Sequence, residues 1–407
     1  MKKTTRIVML AALAAMASGL AACGEKGGDG KLKMALICLH GESSTYDANF
    51  INAFKAACEE LGCEYDIKTN VGETNDCYIA AKEYAEDGYD IVFADSFDHE
   101  KFIMQAAEEY PEVQFCHATG VNAATAGLDN FGDAFASIYE GRYLAGVVAG
   151  MKLKEMDEGG KLKAENKDAQ GNIKVGYVGA FPYAEVKSGY TSWFLGVRSV
   201  MPNVTMEVTF TNSWYNVGLE KTGAETLIAR GAALISQHAD SMGAPSACET
   251  AGVPNVSYNG STADQCPETY LVSSKINWAP YYKYVYNQVK EGKPVAKDWT
   301  GTFATDSVQI TELGKNVAAG TAEAIADVKA KLLDGTLKVF DASKFTVGGA
   351  APTNANCAPS KQFTFNYPDG TEFIKDGYYH ESEYRSAPSF DVDIDGIINL
   401  GDVPAEE

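Results

Sequence analysis

Trp214, Asp240 and Trp278 are the residues of this chain best equipped to hold a small molecule, since each follows a short apolar run and sits among polar neighbours. In open α/β sheets, ligands bind beyond the carboxyl ends of the strands. The side chains in that position are Asp95, Ser96 and Phe97; His117 and Thr119; Phe181; Trp214 and Tyr215; His238 and Asp240; Asn259; and Asn277 with Trp278. Tyr46, at the end of the loop behind the first strand, joins them. Aromatic plates combined with a few neutral or acidic hydrogen-bonding groups make a lining for a flat heteroaromatic ligand. Stacking on a base contributes on the order of 1–3 kcal/mol, and Asp or Asn can read its N–H and ring-nitrogen edge.

Each residue also has a plainer use. Phe97, Phe181 and Tyr215 serve core or interlobe packing equally well, and His117 and His238 suit a satisfied structural role. An indole in a polar loop is costly without a partner, which sets Trp214 and Trp278 apart. A carboxylate soon after a buried strand must face a cleft or be paired, which singles out Asp240. His238 and Asp240, two apart in extended chain, share a face as an acid–base pair would. Yet no G-x-S-x-G elbow, P-loop or G-x-G-x-x-G after a strand accompanies them, so binding without catalysis, and without a cofactor, is the expectation.

The elements that must position these residues form two similar sets. Residues 33–39 are an apolar strand followed by the polar loop 40–46 and a helix over 47–61; residues 174–179 open a second set, with a turn at 180–183 and a helix beyond. Continuous apolar runs of this length suit parallel strands buried on both faces. The reading is α/β: two doubly wound lobes with a hinge and a central cleft. The first lobe spans 32–153, completed by about 269–298, with strands at 64–69, 91–94 and 113–116, helices at 76–86 and 99–109, and a long helix over 131–151. Residues 152–172 form a charged linker. The second lobe spans 154–268, completed by about 299–345, with strands at 204–210, 233–236 and 255–258 and helices at 217–229 and 245–251. The strand 270–273 and the helix 281–289 are expected to return to the first lobe, and 321–333 is a further helix. Residues 346–407 are an extension in which 363–367 and 371–374 flank Pro368-Asp369-Gly370 as a hairpin. Asp391, Asp393, Asp395, Gly396 and Asp402 fall at calcium-loop spacing, whereas Phe390, Val392 and Ile394 alternate with the aspartates as in an edge strand. No metal is assigned.

The 407-residue chain is 45% hydrophobic, enough for a large core and two domains. Its formal charge of −21 argues against nucleic acid and against a strongly anionic ligand. Lys2, Lys3 and Arg6, the apolar stretch 7–16 and Leu20-Ala21-Ala22-Cys23 make a secretory leader ending in a lipobox-like site. Residues 1–22 are then removed, Cys23 is acylated, and the protein is held on the extracytoplasmic face of the membrane through a flexible tether over 23–31. Eight cysteines remain, Cys38, Cys58, Cys63, Cys77, Cys116, Cys248, Cys266 and Cys357, as buried thiols or as disulfides of open connectivity.

Six motifs, FASIYEGRYLAGVVAG (135–150), VGAFPYAEV (178–186), LGVRSVMP (195–202), TNSWY (211–215), QHADS (237–241) and INWAPYY (276–282), carry a resemblance. Together with the lipobox they are similar to the basic membrane protein family, the PnrA-like substrate-binding lipoproteins of ABC importers, from about residue 32 to about 333. The resemblance implies a type I periplasmic-binding fold, a purine nucleobase or nucleoside as ligand, and an ABC permease and ATPase as partners of a monomeric binding protein. Nucleoside-binding members carry an acid at the position of Asn259 and a lysine near that of Asn277 to grip the ribose. The two asparagines here favour a free, adenine-like base. A sensor or adhesin keeping the same fold, and a nucleoside-processing enzyme, are the alternatives.

Overall fold

The computed structural model describes residues 31–360 and 367–404. The leader, Cys23, the tether through Gly30 and residues 363–366 of the expected hairpin lie outside them. The first sheet is built from β1 (Lys33–Ile37), β2 (Glu64–Lys68), β3 (Ile91–Ala94), β4 (Gln114–Ala118) and β5 (Phe131–Ala136), alternating with α1 (Thr45–Leu61), α2 (Asn75–Glu86) and α3 (Glu100–Glu109). Met34 to Ile37 and all of β3 are buried, as parallel strands covered on both faces require. Ser44 caps α1 by accepting from Asp47 N–H, and Thr74 caps α2 by accepting from Asp76 N–H.

The long helix expected over 131–151 divides in two. Residues 131–136 are strand β5, paired in parallel with β4, and the helix α4 (Ile138–Glu158) begins only after Ser137. Both sides of β5 are buried, so the apolar, small-residue composition that suits a close-packed helix also suits a central strand. The helix α4 lies against α5 (Ala184–Val200), which follows β6 (Ile173–Gly179). The crossing is so close that a Cβ on Gly146 would sit 2.0 Å from the Trp193 carbonyl oxygen, and one on Gly196 2.2 Å from that of Tyr143. The helix therefore packs on the second sheet from its first turns, and the linker is confined to the residues after 158.

The second sheet continues through β7 (Val204–Phe210), α6 (Val217–Ala229), β8 (Ile235–Gln237), α7 (Gly243–Ala251), β9 (Asn255–Tyr258) and β10 (Tyr270–Ile276). Contrary to expectation β10 stays in this sheet, in parallel register with β9. What returns to the first lobe is α8 (Ala279–Lys290), with Tyr282 edge-on to Phe54 at 5.0 Å, and then β11 (Asp298–Gly301), which extends the first sheet beside β5. A strand cannot leave its sheet without unpaired backbone groups, whereas a helix satisfies its own, so the crossover falls at residues 276–279. β12 (Val308–Ile310) and α9 (Thr321–Leu333) return the chain to the second half. The sheet orders are β11-β5-β4-β3-β1-β2 and β12-β10-β9-β8-β6-β7, the latter extended at the β7 edge by a strand from the far C-terminus. The chain thus crosses between sheets at 137, 277 and 302–307. The crossings bond to one another, with Ser137 N–H donating to Gly301 at 2.8 Å and Asn277 N–H to Ser307 at 2.8 Å.

Beyond the expected hairpin, whose first strand lies outside the described residues, β13 (Ile374–Lys375) pairs with β14 (Tyr378–Tyr379) around Asp376-Gly377, both at positive φ. The last strand, β15 (Ile397–Asp402), pairs in parallel with β7. The spaced aspartates point to separate protein donors: Asp391 accepts from Ser360 N–H, Asp393 from Tyr190 and Lys187, and Asp395 from Thr346 and Gly349. The eight described cysteines are all unbridged thiols, seven of them buried. No described helix is long and apolar enough to cross a membrane.

Candidate functional site

Between the two sheets, at the carboxyl ends of β1, β3, β8 and β9, a narrow cavity open to solvent is lined by Leu39, His40, Tyr46, Asp47, Ser96, Phe97, Glu185, Trp214, His238, Asp240 and Tyr258. Its first-lobe wall is organised by Asp47. Its carboxylate accepts from His40 N–H at 2.7 Å and from the Ser44 hydroxyl at 2.6 Å. Burial works against the charge, but the hydrogen bonds from His40 and Ser44 hold Asp47 below the ordinary carboxylate range. Tyr46 donates to the Asp95 carbonyl at 2.8 Å, which fixes its ring.

On the second-lobe wall the controlling group is Arg142 of α4, fully buried, with its guanidinium 3.6 Å from the centroid of the Tyr258 ring. It donates to the Gln237 carbonyl at 3.2 Å and to His238 Nδ1 at 2.8 Å. Arginine only donates, so His238 Nδ1 carries a lone pair and its proton resides on Nε2, 3.4 Å from Glu185 Oε1. Burial, then the Arg142 charge, push His238 well below its usual pKa, so the imidazole is neutral. Burial raises Glu185 to about 7, with Arg142 opposing.

Asp240 is 4% exposed. Its carbonyl oxygen receives both Thr45 N–H at 2.9 Å and the Thr45 hydroxyl at 3.2 Å, bonds that join the lobes across the cleft. No hydrogen bond from a described residue reaches its carboxylate. Burial first, and then Asp47, Glu220 and Glu185, raise its pKa far above the usual range, Arg142 opposing. An uncompensated buried acid is costly unless protonated or given a partner.

The aromatic plates gather at one side. Phe181 stacks on Tyr183 at 4.9 Å, Trp214 meets Phe181 edge-on at 5.0 Å, and Phe97 lies 5.7 Å from Tyr183. Tyr46, Phe97, Trp214, His238 and Asp240 therefore share the cavity, and Phe181 backs it. Thr119, at positive φ after β4, lines a neighbouring cavity that shares Phe97 and Glu185.

Five expected residues do not line the slot. Trp278 is 1% exposed and stacks on Phe50 at 4.4 Å in the first-lobe core, because α8 carries it back under the first sheet. Asn259 and Asn277 line a separate groove with Thr45 and Asn49 that shares no residue with the slot; Asn277 is spent on capping Ala279 N–H and bonding Asp306. Tyr215 lies against His40, at 5.3 Å. His117 is buried beside Asp133, its Nε2 donating to the Ser96 carbonyl at 2.7 Å. Sequence reasoning missed His40, Asp47, Glu185, Tyr258 and Arg142. Tyr258 ends a strand, Glu185 lies four residues past Phe181, and Arg142 is a lone arginine within an otherwise small and apolar helical stretch.

Two α/β lobes joined by three hinge crossings around a narrow slot of rings and acids define a solute-binding protein of the type I periplasmic-binding class. The chain belongs to the family of PnrA-like ABC transporter substrate-binding proteins, which is matched over residues 38–342. This is a family of binding proteins rather than enzymes, as the missing catalytic motifs led one to expect. A putative ABC transporter glucose-binding protein of Haloferax volcanii is 31% identical over 264 residues, covering 65% of this chain and 62% of its own. A purine-binding protein of Brucella abortus is 32% identical over 232 residues, covering 56% and 60%. The chain thus spans about three fifths of these relatives' lengths. Among solved structures, a solute-binding protein of an ABC transporter system from Conexibacter woesei superimposes with a TM-score of 0.59 at 19% identity, over 75% of this chain and 98% of that one.

Proposed function

We propose that the chain captures a purine base, adenine-like in its hydrogen-bonding edge, and delivers it to an ABC permease from the extracytoplasmic face of the membrane, where acylated Cys23 anchors it. The observation that carries the ligand is Asp240: a buried carboxyl, raised in pKa and without a donor among the described residues, in a cavity walled by Tyr46, Phe97, Trp214 and Tyr258. A protonated carboxyl offers an O–H donor beside a carbonyl acceptor. That pair complements an edge on which a ring nitrogen accepts and an adjacent amino group donates. The charged carboxylate of Asp47 beside the slot opposes a phosphate, which disfavours a nucleotide. Closure on the ligand is completed by Thr45 bonding Asp240 across the cleft.

Titration calorimetry with adenine, hypoxanthine, guanine, their nucleosides and glucose tests the ligand. Adenine binding most tightly is expected; a preference for glucose, or no purine binding, overturns the reading. Mass spectrometry of membrane-extracted protein checks the anchor, with an acylated Cys23 as the new N-terminus expected.

A further inference from the structure

We infer that the C-terminal extension is a fourth, breakable connection between the lobes, a strap that holds the cleft toward its closed form. The inference rests on the binding reading only for its ligand arm.

The extension lies beyond residue 342, where the family match ends. Its attachment to the second lobe is extensive. β15 adds a parallel strand to β7, from Ile397 opposite Met206 to Asp402 opposite Phe210. Arg198 donates to the Asp395 carbonyl at 2.9 Å, and Tyr190 and Lys187 both reach Asp393. Glu381, 6% exposed, accepts from the Ser188 hydroxyl at 2.7 Å, from Ser389 N–H and hydroxyl at 3.0 and 2.7 Å, and from Phe390 N–H at 2.9 Å. Stacking of Phe390 on Phe340 at 4.5 Å secures the base of the strap.

The reach to the first lobe is slight by comparison. Ser386 N–H donates to Asp298 Oδ2 at 2.7 Å, on the edge strand β11 immediately before the hinge crossing. Arg385, Ala387 and Pro388 then face Phe97, Thr119 and Val121 across a cavity of about 310 Å³, which also touches Tyr183, Ala184 and Glu185. Because Phe97 and Glu185 belong to this cavity and to the ligand slot, the strap closes the flank of the space in which the ligand sits. The joint itself is incompletely satisfied: among the described residues Asp298 Oδ1 and the Ser386 hydroxyl are buried without a hydrogen bond of good geometry, and burial weighs on the Asp298 charge against the pull of Ser386 and Arg385. Buried polar groups in that condition make a joint weaker than the four-bonded Glu381. An arm riding on one lobe and touching the other by its weakest bond must part there when the lobes separate.

The experiment is small-angle X-ray scattering of the ligand-free full chain, alongside stopped-flow kinetics of adenine binding, for wild type, Asp298→Ala, Asp298→Asn and Ser188→Ala. Asp298→Ala is expected to enlarge the ligand-free radius of gyration, to speed both association and release, and to weaken binding by about three- to tenfold as the closed population falls. Asp298→Asn keeps the acceptor and stays near wild type, as does Ser188→Ala, because β15 still holds the arm. Scattering needs no ligand, so a failure of the purine reading leaves that arm informative. An unchanged radius of gyration for a folded Asp298→Ala, or equal opening in Asp298→Asn, overturns the strap.

Discussion

Asp240 and Glu381 are both buried acids beside the second sheet, and they live under opposite conditions. Glu381 has four donors on its two oxygens, and its pKa is raised by burial while Ser389 and Ser188 pull it back. Asp240 has none on its carboxylate among the described residues, and burial is reinforced by neighbouring acids. A carboxylate whose hydrogen bonds are all intramolecular is a structural joint. One left open toward a cavity lined with rings is, on the proposed reading, the partner for a donor and acceptor from outside the chain.

Three substitutions would break or sharpen that contrast. Glu381→Ala strands four buried donors and should lower unfolding free energy by about 3 kcal/mol, measured in urea, with adenine affinity affected only through stability. If it alters affinity alone, the two acids are not different in kind. Asp240→Ala should leave the fold intact or firmer and weaken adenine binding by about 2 kcal/mol, roughly 30-fold. Asp240→Asn, whose amide also pairs one donor with one acceptor, should retain most of the affinity and lose the decline at high pH that ionisation of Asp240 imposes. Equal damage from both would mean that a charged carboxylate, not a protonated one, holds the ligand.

The smallest effect concerns Glu185. Its folded pKa of about 7 lies above the ordinary 4.5, so between these values the folded protein holds a proton that the unfolded chain has released. Stability therefore falls as pH rises from about 4.5 through 7, at a limiting slope on the order of 1 kcal/mol per pH unit. Glu185→Gln should flatten that part of the profile in thermal melts across pH 5–8. Glu140 and Glu220, raised by burial to about 7 as well, keep a slope of the same sign, as do Asp133, Asp240 and Glu381, so Glu185→Gln removes only its own share.

The paired strand–helix plan was legible because apolar runs and caps are local properties: the strands 91–94 and 204–210 and the helices 217–229 and 321–333 stand where their patterns put them. The two tryptophans show where local reading stops. Trp214 and Trp278 follow similar polar residues, yet one reaches the slot and the other stacks on Phe50, since only the crossover after β10 decides which sheet α8 covers. The same lack of long-range information disguised β5 as the start of a helix. Asp240 was readable from chemistry alone, because burial of an acid near a strand end leaves few alternatives. Arg142 was not, since its purpose depends on His238 and Tyr258, about a hundred residues away.

On the proposed reading, the bond from Thr45 to the main chain of Asp240 ties reading the ligand to gripping it. Shifting that one residue disturbs the cargo's partner and the clasp between the jaws in a single motion. If Asp240 holds the cargo as proposed, any pull that parts Thr45 from Asp240 loosens the cargo as well.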